Sequence, residues 1–196
     1  MESDSINYSQ LKESFPIANF PGGGWFEKLD KGIVVNLIEG APLLIRWMFA
    51  EDIPMVCELE RQIFPSPWPY ESFIYELYNR NNNISIVGQI QNQVIAYAVS
   101  YLVVDEVHIS NLAVAPNYQR LKIGETLLWI SLQMSREKKS RIAHLEVRKN
   151  NLTAIALYQK YGFQVVGVRK NYYQNENEDA LLMSCNLATE STHGVV

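Results

Sequence analysis

Residues 111–128, NLAVAPNYQRLKIGETLL, carry a strand, a loop and a helix in one stretch. The β-branched run from Val107 to Val114 predicts a strand that Pro116 ends. A short polar loop follows, and Leu127, Ile130 and Met134 mark one face of a helix from Gly124 to Lys138, with lysines at its end where they complement the dipole. A helix start leaves four amides without intrahelical partners and adds a partial positive charge, so such a turn can seat an anion such as pyrophosphate. Many strand–loop–helix turns bind nothing, and the pattern needs support from elsewhere in the chain.

Outward from it, residues 145–163, LEVRKNNLTAIALYQKYGF, give a second strand–helix unit. Strand alternation over Ile142–Val147 puts His144, Glu146 and Arg148 on one face and Leu145 and Val147 on the other, so Glu146 interrupts an otherwise apolar strand. Such a position suits a base; it equally suits a surface carboxylate paired with Arg148 or Arg141. Asn150 or Asn151 can cap the helix Leu152–Lys160, closed by Gly162, on which Tyr158 turns inward as a proton donor or as a core aromatic.

The remaining elements follow from period and punctuation. Leu43–Met48 suits a strand; Asp52 and Pro54 start a helix with Val56, Leu59 and Ile63 on one face, ended by FPSPWP; Tyr70–Asn79 suits a second helix. Ile84–Ile90 and Val94–Val104 form a hairpin about Gln91–Gln93, and Phe163–Val168 and Ala180–Leu187 are the last strands. The expected fold class is α/β, of the α+β mixed-sheet kind, with helices on both faces. Residues 1–42, with the PGGG breaker at Pro21–Gly24 and one β-like run at Ile33–Ile38, are expected to be an appended arm, either a disordered tail or an extra edge strand. Residues 43–187 are the domain and 188–196 a C-terminal tail.

Composition sets outer bounds. With 196 residues, 47% of them hydrophobic, the chain suits one domain that buries roughly 70% of its extended surface without staples. Seventeen Lys and Arg against 21 Asp and Glu give a net charge of −4, which argues against direct nucleic-acid binding and favours a cationic partner. Cys57 and Cys185 are too few for a disulfide framework, and His108, His144 and His193 show no ligand spacing with them, so no metal is expected. There is no GxSxG nucleophile motif. The longest apolar candidate, Leu37–Ala50, is broken by Glu39, Pro42 and Arg46, so no membrane association and a cytoplasmic location are expected.

Taken together, the two strand–helix units resemble the GNAT superfamily of acyl-CoA-dependent N-acetyltransferases, with QRLKIG matching the Q/RxxGxG/A phosphate loop at Gln119 and Gly124. Lys122 replaces the first motif glycine; either its φ is negative or the loop tolerates strain. The strings IRWMFAEDIPMVCELERQIFPSPW (45–68) and RKNYYQNENEDALLM (169–183) narrow the resemblance to the ribosomal-protein-alanine N-acetyltransferases over about Leu43–Leu187. That resemblance implies a GNAT-like, mostly antiparallel mixed sheet and acetyl-CoA as co-substrate. The implied acceptor is the N-terminal segment of a small-subunit ribosomal protein.

It also implies roles. Glu146 matches the proton acceptor and Tyr158 the donor that reprotonates the CoA thiolate, in a direct ternary complex. Leu112, Ala113 and Val114 match the strand whose backbone pairs with pantetheine. Arg120, Leu121, Lys122, Ile123, Gly124 and Glu125 match the pyrophosphate loop, and Asn151 a cofactor contact. For the peptide groove, aromatics and carboxylates suit a basic N-terminus, so Phe64, Trp68, Tyr172, Tyr173, Glu178 and Asp179 are candidates. The competing expectations are a GNAT that acetylates a small amine such as a polyamine or antibiotic, and an acyl-CoA-binding module without turnover.

Overall fold

The β-branched runs and the helical-period runs from Leu43 onward form strands and helices in the predicted order. The structure is a computed structural model that describes residues 5–6, 24–36, 42–79 and 81–188. Its strands are β1 (Ser5–Ile6), β2 (Ile33–Asn36), β3 (Pro42–Trp47), β4 (Asn83–Ile90), β5 (Gln93–Val103), β6 (Glu106–Val114), β7 (Ile142–Arg148), β8 (Gln164–Tyr173) and β9 (Glu178–Asn186). They make one sheet in the order β1-β2-β3-β4-β5-β6-β7-β9-β8. The pairs β1–β2 and β6–β7 are parallel and the other six antiparallel.

Among the described residues five α-helices cover the sheet: α1 (Trp25–Lys31), α2 (Ile53–Ile63), α3 (Tyr70–Tyr78), α4 (Ile123–Glu137) and α5 (Leu152–Lys160). One apolar cluster joins α1, α4 and Tyr158 of α5 to one face, and a second joins α2 and α3 to the other. Strands β4 and β5 are therefore buried on both faces: Ile84 and Ile86 pack toward α4, Val87, Tyr97 and Val99 toward α2. The entry to α2 is fixed by Asp52, which accepts from Arg46 Nη1 and Nη2 at 2.7 and 2.8 Å and from the Phe49 N–H at 2.8 Å.

Two expectations change. Over Trp25–Asn36 the arm packs on the domain: β2 supplies the extra strand at the sheet edge, one of its two expected forms, and α1, an unexpected helix, packs beside it. Trp25, Leu29, Ile33 and Val35 are buried, Trp25 meets Trp129 edge-on with ring centroids 4.8 Å apart, and β2 pairs with β3 from Ile33↔Ile45 to Asn36↔Pro42. A seven-residue helix and a four-residue strand are too short to show period, and their partners lie far along the chain. Pro21–Gly23, residues 37–41 and the tail from 189 lie outside the described residues. The second change is β8, which starts at Gln164 and runs five residues beyond the expected Val168. It is an edge strand exposed along most of its length, so no burial alternation marks it, and ladder bonds carry it to a turn at Gln174–Glu176.

Candidate active site

Strands β6 and β7 pair only from Glu106↔Ile142 to Ile109↔Leu145. At that point β6 bulges: Val99 of β5 faces Asn111 and Ser100 faces Ile109, which leaves Ser110 without a partner. The bulge reverses the side-chain alternation, so Ile109 packs with the α4 cluster and Ala113 with the α2 cluster. Beyond it β6 follows β5 while β7 follows β9, and the two parallel strands part as a fork. The β7-facing backbone edge of Ser110–Val114 therefore has no strand partner. A cavity of about 140 Å³ lies in the fork. Its walls include Leu112 of β6, Glu146 of β7, Tyr158 of α5, Tyr173 of β8, and Phe64 and Trp68 of the loop after α2.

Glu146 keeps the alternation expected of its strand, but its partners differ from those considered. Its Oε2 lies 2.5 Å from His108 Nε2, and its Oε1 accepts from Arg169 Nη1 at 2.9 Å. Arg148 instead pairs with Glu178 and Glu176 and stacks on Tyr173, and Arg141 pairs with Asp105. The His108 hydrogen bond, aided by charge from His108 and Arg169, outweighs burial and holds the Glu146 carboxyl below its ordinary range. Glu146 therefore stays ionised wherever an amine titrates. His108 Nδ1 is buried with no hydrogen-bond partner among the described residues, while its ring meets Tyr101 at 5.0 Å.

Tyr158 is 7% exposed and packs against Phe163 at a centroid distance of 5.8 Å. Burial, and to a lesser degree the neighbouring Tyr173, push its phenol well above the ordinary value, so it keeps its proton. The fork thus presents an ionised acceptor and a protonated donor to one cavity. Asn151 caps α5, its Oδ1 accepting from Ala154 N at 3.1 Å, and it borders the same cavity.

The loop before α4 suits an anionic group. Its N-cap, Lys122, has φ 61°, and Arg120 has φ 65°. The glycine position is left-handed here and the lysine bears the strain, about 1 kcal/mol. At Gly124 the loop lies close to β6: an added Cβ would meet Val114 Cγ2 at 3.3 Å, a tight contact. Fifteen residues of α4 put a helix dipole behind this loop. The residues present therefore fit an acyl-CoA, with the amides at the start of α4 and the Arg120 and Lys122 cations for its pyrophosphate and the open edge of β6 for its amide-bearing arm. Glu125 turns away to pair with Lys160 and to accept from Tyr161 Oη.

Residues 53–163, which hold both fork strands, the loop and α5, match the acetyltransferase (GNAT) family. The chain belongs to the GNAT acetyltransferase family. A Bacillus subtilis (strain 168) protein provisionally named ribosomal protein bS18-alanine N-acetyltransferase is 39% identical over 139 residues, 71% of this chain and 92% of that one. The Haemophilus influenzae ribosomal protein bS18-alanine N-acetyltransferase is 33% identical over 147 residues, 74% of this chain and 99% of that one. The crystal structure of the Escherichia coli ribosomal-protein-S18-alanine N-acetyltransferase superposes with a TM-score of 0.70 at 27% identity, over 79% of this chain and 99% of that one.

Within this GNAT domain the fork gathers Glu146, Tyr158, Leu112, Asn151, Phe64, Trp68 and Tyr173 around one cavity. Tyr172, Glu178 and Asp179 are not among its walls. Tyr172 stacks outside with Arg169, Glu178 binds Arg148 and the Asn150 N–H, and Asp179 binds Lys170 and the Asn171 N–H to hold the hairpin. Ala113 turns its side chain to the α2 cluster, leaving only its backbone toward the fork. Sequence reasoning missed Glu60 and His108. Glu60 stands on the apolar stripe Ile53, Val56, Cys57 of α2, a carboxylate at a core position, and that signal was available. His108 had no such signal, because its pairing with Glu146 comes from a crossover connection.

Among the described residues no group of three His, Cys, Asp or Glu could hold a metal ion, and no helix is long and apolar enough to cross a membrane.

Proposed function

We propose that this protein transfers an acetyl group from acetyl-CoA to the N-terminal α-amine of a protein, the acceptor being the N-terminal alanine of a small-subunit ribosomal protein. The observation that carries this reading is the pairing, at one fork cavity, of the ionised Glu146 with the protonated Tyr158. When bound, acetyl-CoA supplies an activated thioester. Glu146, oriented by His108 and Arg169, takes the proton that the amine nitrogen must lose, and Tyr158 Oη holds a proton for the leaving sulfur. The edge of β6 and the loop Arg120–Gly124 bind and orient the donor, while Phe64, Trp68 and Tyr173 exclude water on the acceptor side.

Charge supports a cationic acceptor. Among the described residues, Glu146 at the cavity pairs with Arg169 and Arg148 with both Glu176 and Glu178, which leaves one carboxylate in excess there. Chemistry favours an α-amine: with a pKa near 7.8 about one molecule in seven is neutral at pH 7, against fewer than about one in a thousand lysines. The names of the relatives supply the ribosomal acceptor.

Mass spectrometry of products from a panel tests this. The panel is an alanine-starting basic peptide, the same peptide with its α-amine blocked and a lysine free, and a polyamine. Acetylation confined to the free α-amine is the expected result. Equal or better turnover of the polyamine would show a small-amine enzyme, and acetyl-CoA binding with no turnover of any amine would show a binding module.

A further inference from the structure

Glu60 is 1% exposed, yet no cation pairs with it among the described residues. Its carboxylate is held by three neutral donors from three separate elements. Oε1 accepts from the Trp68 N–H and from Asn111 Nδ2, both at 3.0 Å, and Oε2 accepts from Tyr97 Oη. Burial pushes the Glu60 carboxyl up, and these donors offset only part of that. A buried carboxylate is an expensive way to stabilise a core, because an apolar residue of like volume often serves as well or better. The placement of the donors supplies another use. Trp68, with Phe64, forms the wall of the cavity contributed by the loop after α2, and Asn111, next to the Ser110 bulge, lies on the wall contributed by β6. Glu60 is the atom bridge between them. No apolar side chain could accept from both walls, and loss of the bridge leaves the Trp68 N–H and the Asn111 amide with no acceptor from Glu60.

We propose that Glu60 is a positioning residue for acceptor binding: by tying Trp68 to Asn111 it sets the width of the acceptor side of the fork cavity. This rests on the acetyl-transfer reading of that cavity. The loop before α4 has no contact with Glu60, and Glu60 holds Asn111 by its side chain while the donor would use only the backbone edge of β6, so the two substrates respond differently to its replacement.

The test uses the full chain, with initial rates measured while acceptor and acetyl-CoA are varied separately, and acetyl-CoA affinity measured by calorimetry. The acceptor is whichever amine of the panel the wild type turns over best, so a wrong acceptor class refutes the proposed function without removing this test. In Glu60→Ala the acceptor KM should rise at least about tenfold while acetyl-CoA affinity stays within about twofold. Glu60→Gln keeps an acceptor oxygen for Trp68 and Asn111 and an amide for the Tyr97 oxygen, so it should restore the acceptor KM to within about threefold of wild type, with the same pH profile. A Gln variant as impaired as the Ala variant would show that the charge is used, and would overturn the positioning role. So would an Ala variant whose two substrates are weakened equally, or neither. If Glu60→Ala does not fold, Asn111→Ala cuts one tie alone and should raise the acceptor KM about three- to tenfold with acetyl-CoA affinity intact; an unchanged acceptor KM there overturns the proposal.

Discussion

Replacing Trp25 by alanine should destabilise the whole domain, although Trp25 lies in the stretch that composition marks as an arm. The indole is 5% exposed, meets Trp129 edge-on at 4.8 Å and an interplanar angle of 88°, and lies beneath the Lys28 ammonium at 4.5 Å. Trp-to-Ala changes at such sites cost about 3–5 kcal/mol, a figure that already includes the lost ring pair and the cavity. For a chain of this size each kcal/mol lowers Tm by about 2–4 °C, so a fall of roughly 6–20 °C is expected. Thermal unfolding followed by far-ultraviolet circular dichroism measures it, with Trp25→Phe as a control that keeps a ring and loses less. Activity at 25 °C should stay within about threefold of wild type, because Trp25 does not border the fork cavity. The same packing predicts that a chain starting at Leu43 loses soluble expression, as it bares Trp47, Trp129 and the β3 edge. A Trp25→Ala protein whose Tm lies within about 2 °C of wild type would refute the packing of α1 and return this stretch to an appendage.

Glu146→Gln should lower kcat/KM by roughly 10² to 10⁴, with a deficit that shrinks from about pH 6 to 9 as free amine accumulates; wild-type rates at pH 7 would remove its role as base. Tyr158→Phe should lower kcat by a similar order with acetyl-CoA affinity unchanged, and weakened affinity with kcat intact would make the tyrosine a packing residue. Gly124→Val should weaken acetyl-CoA at least about tenfold by calorimetry, roughly 1.4 kcal/mol, because the added side chain fills the close approach between loop and Val114. Asp52→Ala should cost about 2–3 kcal/mol at pH 7, less than a fully buried pair because Arg46 keeps its bonds to Gln89 and the Trp47 carbonyl. Burial alone would raise the Asp52 carboxyl, but Arg46 and the Phe49 N–H hold it below its ordinary value, so its stabilisation is present above the unfolded value near 3.9 and is lost as pH falls. The stability gap between variant and wild type should therefore narrow as pH falls below about 4; a gap as wide near pH 3 as at pH 7 would mean that Asp52 acts through packing.

From Leu43 onward, local rules were enough to place the elements. The β-branched run Ile84–Ile90, period 3.6 in α4, Pro116 and Gly162 are statements about neighbours within a few residues, and the sheet's element order follows from them. The same holds for the alternation that sets Glu146 apart from Leu145 and Val147, and for Asn151 as a cap. Tertiary structure decided what depends on distant partners. The fork exists because β6 bulges at Ser110 and leaves β7, which no single strand's pattern encodes. His108 meets Glu146 across a parallel crossover, and Glu60 gathers donors from a loop and two strands up to 51 residues away. The arm's short elements gain their stability from Trp129 and β3, so their sequence has no period of its own to show. Chemistry-bearing residues could be named from sequence because alternation and spacing are local; which of them share a cavity, and in which ionisation state, is set by burial and hydrogen bonds that only the assembled sheet provides.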